Sequence, residues 1–248
     1  MYKWIPLNSS ADLAQLNRYV SVEYNPNIVV KKLTDGISNA VKAVLLEDNY
    51  VDKDYRSTYY NFYAKKGQHY RSDCIRLHFF DGTVSFDENT LRLKSSADNF
   101  LTDHYYGYMV LRPTGIGTIG RTVLSPDIRS GASRFIIAAY YKVHLLGDQL
   151  MVQGFPSMDQ HADISVCAHA ACWSILRHYS ERFSNYSEFL THDITMMAHE
   201  FNPGGLVPSK GLRMSHAERV FQEANMFPVH IARDINKSTT IDLSFYRQ

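Results

Sequence analysis

Leu13, Leu16 and Val20 recur at three- and four-residue intervals and predict a helix near the start of the chain. Val41 to Leu46 reads as a short strand, and Tyr55, Tyr59 and Phe62 fall on one face of a second helix. The period then shortens to two. Ile75, Leu77 and Phe79 alternate with Arg76 and His78 before a turn at Asp81-Gly82, Tyr106 to Leu111 forms a strand ending at Pro113, and Arg134 to Leu146 forms another ending at Gly147-Asp148. After Gly154-Phe-Pro156 the helical period returns. Helices are predicted from about Ser165 to Phe183, from about Ser187 to Phe201, and from a capping box at Ser215 and Glu218, followed by a strand from Pro228 to Ala232. The expected fold class is α+β, with an N-terminal, mostly antiparallel sheet domain over 1–150 and a helical region over 151–248.

Composition narrows the function classes. The chain of 248 residues is 45% apolar and 21% charged, the balance of a globular protein. Its 26 basic and 25 acidic residues give no overall field that would draw in nucleic acid or an anionic membrane, so neither is expected as a partner. No signal-peptide pattern and no long uncharged apolar run is present, which makes the expected location cytoplasmic. The three cysteines, Cys74, Cys167 and Cys172, are too few for a disulfide framework, so a special cysteine here is reactive rather than structural.

Cys167 is the candidate. It falls at the predicted start of a helix, where unpaired backbone N–H groups and the helix dipole favour the thiolate, the species that attacks a carbonyl. Gln160 stands seven residues upstream, far enough for a loop to bring its side-chain amide beside the Cys167 N–H as a second donor for an oxyanion. Cys172 lies on another helical face and reads as core.

With Gln160 on a loop, Cys167 opening a helix, the small residues Ala168, Ala170 and Ala171 beside it and Trp173 less than two turns on, residues from about 150 to 235 resemble the nucleophile half of a papain-like cysteine peptidase of the C39-like branch. Gly211-Leu212 and Pro228-Val229 fit the same branch; Ala168 stands where that family usually has glycine. The resemblance implies a papain-like helical half and peptide or isopeptide hydrolysis, with a peptide or protein as partner and no cofactor. It also implies a catalytic histidine on a downstream strand, followed by an Asp or Asn. Within the chain His230 fills that place with Asp234 behind it; otherwise the histidine is expected beyond Gln248. Two other classes stay open: a non-catalytic sensor or adaptor, and a glutamine-modifying domain of the transglutaminase or deamidase kind.

Other features carry bland readings. His192, Asp193, His199 and Glu200 lack metal-ligand spacing, so no metal is expected. Gly115-Ile-Gly-Thr-Ile-Gly120 matches the spacing of a dinucleotide fingerprint, but Thr122-Val-Leu124 continues it as strand, which predicts a glycine-rich hairpin. The Tyr- and Lys-rich run from Tyr55 to Arg71 reads as an amphipathic helix with a basic exit. His169 and His178 read as packing or surface groups, and His216 as solvated.

Overall fold

The computed structural model describes residues 1–21, 40–67, 69–96, 100–114, 118–128, 137–159, 167–198 and 212–229. The fold is mixed α and β, centred on a five-stranded antiparallel sheet. Its strands are β1 (Tyr2–Pro6), β2 (Ala43–Tyr50), β3 (Cys74–Phe80), β6 (Tyr105–Leu111) and β7 (Ile119–Leu124), paired in that order. Two hairpins accompany it: β4 (Val84–Asp87) with β5 (Arg92–Ser95), and β8 (Ala139–Leu145) with β9 (Asp148–Gly154).

Each face of the sheet is covered. Helix α1 (Ser10–Ser21) lays Leu16 and Val20 against Ile5, Val44, Leu77 and Phe79. The opposite face packs Leu45, Phe80 and Val110 against Val143, Leu145 and Val152 of the second hairpin, and against Tyr55 and Phe62. Those two aromatics belong to α2 (Lys53–Thr58) and to the π turn Tyr59–Tyr63 that continues it; a short 3₁₀ turn follows and stops at Gly67, whose φ of 66° suits a residue without a Cβ. Gly107 meets a harder constraint. At φ 112° a Cβ there would stand 2.1 Å from the Val123 carbonyl oxygen, so only glycine lets β6 and β7 approach where β3 shifts register at Phe79 and Phe80.

The helical part consists of α3 (Cys167–Arg182), α4 (Thr191–Met197) and α5 (Met214–Glu223). Trp173, Leu176, Ile194, Val220 and Ala224 form its buried cluster.

Several expectations need correction. Alternation at β3 reads as a strand with one apolar face, yet both faces are buried, because the second hairpin closes over Arg76 and His78. The strand β9 was not expected; its Leu150 and Val152 alternate inward, but the turn at Leu146 and Gly147 sits next to the change of period that suggested a boundary. That boundary, drawn at residue 150, falls inside β9, and the chain remains attached to the sheet as far as Asp159. Helix α4 is shorter than the periodicity suggests: the Asp193 carboxylate accepts the Leu190 N–H at 2.8 Å and fixes its start. At α5 the cap is not Ser215 but Arg213, whose N–H is accepted by His216 Nδ1 at 3.0 Å, so His216 is a half-buried capping group. Pro228 and Val229 are exposed and carry no strand; 230–232 lie outside the described residues.

One other reading agrees with the fold. β6 and β7 are antiparallel across the glycine-rich segment, of which 115–117 lie outside the described residues. No group that could hold a metal ion occurs among the described residues, and no helix among them is long and apolar enough to cross a membrane. His199 and Glu200 are outside that set.

Candidate functional site

Cys167 is the first described residue of α3, and 160–166 lie outside the described residues. Gln160, His230 and Asp234, the other residues expected at the site, lie outside the described residues. What the structure adds is how the elements on either side of this site are held.

The approach to Gln160 is tied to the sheet edge. Ser157 exchanges two backbone hydrogen bonds with Thr122 of β7 (2.8 and 2.9 Å), and the Asp159 N–H donates to Ile119 at 2.8 Å. Buried Arg112, just past β6, then donates through Nη2 to the carbonyls of Ile119 (2.8 Å) and Asp159 (3.0 Å). A guanidinium is suited to this because its donors fork in one plane. The chain is therefore fixed up to one residue before Gln160.

Helix α3 is fixed from another direction. Trp173 is fully buried, and its Nε1–H donates to Asp54 of α2 at 2.8 Å. Arg177, one turn on, donates through Nη2 to both Asp54 oxygens at 3.2 Å and to the Phe189 carbonyl. Thr191 extends this contact, donating to the Asp54 carbonyl at 3.2 Å and lying 2.9 Å from the Thr58 hydroxyl. Burial and then the neighbouring Asp52 carboxylate push Asp54 upward; Arg177, Arg121 and the Trp173 hydrogen bond oppose them. The donors of Trp173 and Arg177 are what make a buried carboxylate tolerable here. Lys53 and Arg177 also contact Glu188.

Two histidines share α3 with Cys167. His169 is two residues along α3, about 200° around the helix, so its ring leaves on the opposite side. It is buried with both ring nitrogens unpartnered, and burial pushes it down to about 4. His178 stacks near Phe155 and Tyr179. Cys172 is buried as expected, its thiol pushed up by burial to about 11, and Cys74 is raised further for the same reason.

Sequence reasoning missed a concave region. A cleft of about 440 Å³ opens where the sheet, β8 and α3 meet, about 15 Å along α3 from Cys167 at its Arg177 wall. In it Arg76 donates through Nε to Glu47 at 2.7 Å and through Nη2 to the His144 carbonyl, with its guanidinium 4.0 Å from the Tyr50 ring centre. Arg121 donates to the Tyr50 hydroxyl at 2.9 Å and pairs with Asp52 at 3.3 Å. Behind them His78 is wholly buried between Tyr105 (2.9 Å) and Glu47 (3.3 Å), and burial pushes it down to about 4 against the pull of Glu47. A neutral His78 that donates to Glu47 accepts the Tyr105 hydroxyl proton. Burial works against the Glu47 carboxylate, but His78 and Arg76 outweigh it and hold it below its ordinary value. The available signal was Arg76 set in the otherwise apolar and aromatic run around Cys74 to Phe80, since a charge in a central strand needs a partner.

Compared with models of protein families, with curated proteins and with solved structures, the chain matches none of them.

Proposed function

We propose that this chain carries out thiol-dependent acyl transfer, with Cys167 as nucleophile, as a papain-like cysteine peptidase of the C39-like kind acting on a peptide or isopeptide bond in the cytoplasm. The observation that supports the reading is that Cys167 stands in the first described turn of a long helix whose next two turns are anchored by Trp173 and Arg177. A thiolate there is stabilised by the helix terminus, and an anchored helix keeps it aimed.

In this reaction the Cys167 sulfur attacks the carbonyl carbon, and the C–O π pair moves to oxygen, where the Gln160 amide and the Cys167 N–H hold it. His230, oriented by Asp234, takes the thiol proton and returns it to the leaving amine as the C–N bond breaks. Water then attacks the thioester, gives its proton to the histidine, and releases the acid and the thiol. The tether of Asp159 to β7 through Arg112 would limit the positions Gln160 can take.

The test compares single-turnover acylation by an activated ester in Cys167→Ala and Gln160→Ala, beside thermal melting. Gln160→Ala should melt like the parent and acylate ~10²-fold more slowly, the usual cost of losing one oxyanion donor, while Cys167→Ala should not acylate. Normal acylation in both variants would contradict the proposal and favour a binding role.

A further inference from the structure

We infer that the outer edge of β1 pairs with β1 of a second copy of this chain, joining two five-stranded sheets across a two-fold axis, independently of the acyl-transfer reading. The inference starts from a difference between the two edges of the sheet. At the far edge β7 is covered: Ser157 exchanges two backbone hydrogen bonds with Thr122, and the Asp159 N–H reaches Ile119. At the near edge β1 pairs with β2 alone. The Leu7 N–H donates to Lys42 and the Met1 carbonyl accepts from Asp48, so the odd-numbered residues of β1 face β2. The N–H and C=O groups of Tyr2 and Trp4 and the C=O of Pro6 therefore point outward, and no group among the described residues bonds to them. Pro6, which has no N–H to offer, stands where this outward ladder ends. A lysine commonly guards an open edge, but here Lys3 is drawn aside, its Nζ 3.7 Å from the Tyr19 ring centre.

These groups suit a copy of themselves. With Trp4 on the axis, its N–H and C=O meet those of Trp4 in the second copy, and the Tyr2 N–H of each copy donates to the Pro6 carbonyl of the other. The same register sets Lys3 opposite Ile5, so like charges do not face each other across the seam. Trp4 is half-buried, its ring 5.6 Å from Phe80 and 6.5 Å from Phe86, and across the axis it gains an aromatic pair. Helix α1 extends the match on the other face of the sheet. It returns antiparallel to β1 with Tyr19 at the level of Lys3, so Gln15, about 6 Å back along the helix, stands near the level of Trp4. The axis therefore sets the two α1 helices antiparallel about Gln15 and turns Asp12 of each toward Arg18 of the other. Asp12, Gln15 and Arg18 share a concave face of about 530 Å³ with Tyr19, which places this charge complementarity on the side of α1 that looks over β1.

The experiment combines sedimentation equilibrium of the full chain over a range of concentrations with amide hydrogen exchange. A mass that rises from one chain to two is expected. With it the Tyr2 and Trp4 amides should gain protection as concentration rises, while the Lys3 and Ile5 amides, which face β2, exchange slowly throughout. Tyr2→Pro removes one outward donor and leaves the ladder to β2 in place, so it should lose the dimer with little change in the melting of the dilute protein. Should Tyr2→Pro fail to fold, the exchange pattern of the parent decides the matter. A single-chain mass at every concentration overturns the inference and leaves the edge to a strand of another protein or to water. A dimer in which the Trp4 amide exchanges freely, or one that survives Tyr2→Pro unchanged, overturns it as well, because either places the contact on another surface.

Discussion

In the sheet, apolar residues close both faces: Leu16 and Val20 against Ile5, Val44 and Leu77 on one side, and Val143, Leu145 and Val152 against Leu45 and Val110 on the other. In the helical part the buried cluster is smaller, centred on Trp173, Leu176, Ile194 and Val220, and the same Trp173 reaches out of it to a carboxylate of α2. The sheet is specified by area removed from water, which is large and tolerant of direction. The attachment of the helices depends more on a few directional contacts at Asp54, which fix one orientation and fail sharply when one partner is removed. Under the proposed acyl transfer, the helix that carries Cys167 benefits from the second arrangement, because attack geometry tolerates little displacement.

The largest expected effect breaks that attachment. Asp54→Ala leaves buried Arg177 with only the part-exposed Glu188 as a carboxylate partner, and the chain should lose about 3–5 kcal/mol in urea unfolding, with hydrogen exchange rising in α3 before β3. Removing Asp87 from its exposed pair with Lys94 on the β4–β5 hairpin should leave the unfolding curve unchanged. Equal losses in the two variants would mean that the Asp54 contacts stabilise nothing in particular.

Next in size is acid sensitivity, which has one source in each region. His78 in the sheet and His169 on α3 are both lowered to about 4 by burial, so the folded protein refuses protons that the unfolded chain accepts near 6.5. Stability conferred by the neutral rings is therefore complete above pH 6.5 and is lost as pH falls toward 4, by about 3 kcal/mol for each histidine. Urea midpoints measured from pH 7.5 down to 4.5 check this. Because His169 has no partner, His169→Leu should flatten the slope at little cost at neutral pH, whereas replacing His78 also strands Glu47 and Tyr105.

A smaller loss is expected from Trp173→Phe, which keeps an aromatic ring in place but removes the donor to Asp54. About 2 kcal/mol is expected, since the acceptor is charged. A cost matching full truncation of the side chain would place the role of Trp173 in packing alone.

Local pattern made much of this fold legible. The spacing of Leu16 and Val20 gives α1, that of Ala170, Trp173 and Leu176 gives α3, and Thr122-Val-Leu124 continues Gly120 as strand β7. What pattern could not carry was pairing across the chain. Asp54 and Trp173 are 119 positions apart, and nothing near either residue names the other. Arg76 looked like the solvent side of a strand because the hairpin that covers it comes far later in the sequence. The α5 cap was misplaced because a histidine, outside the usual capping residues, accepts the Arg213 N–H.

The central claim is that Cys167 is a poised nucleophile while the other two cysteines are inert core, and rate-resolved iodoacetamide labelling with peptide mapping tests it most directly. Cys74 and Cys172 are buried, and burial raises both thiols, so at neutral pH they should react only on unfolding. The account predicts that the Cys167 peptide is modified first, with a rate that follows a thiolate pKa below the ordinary ~8.5. Labelling of Cys167 no faster than Cys74 or Cys172 in the folded protein would contradict it.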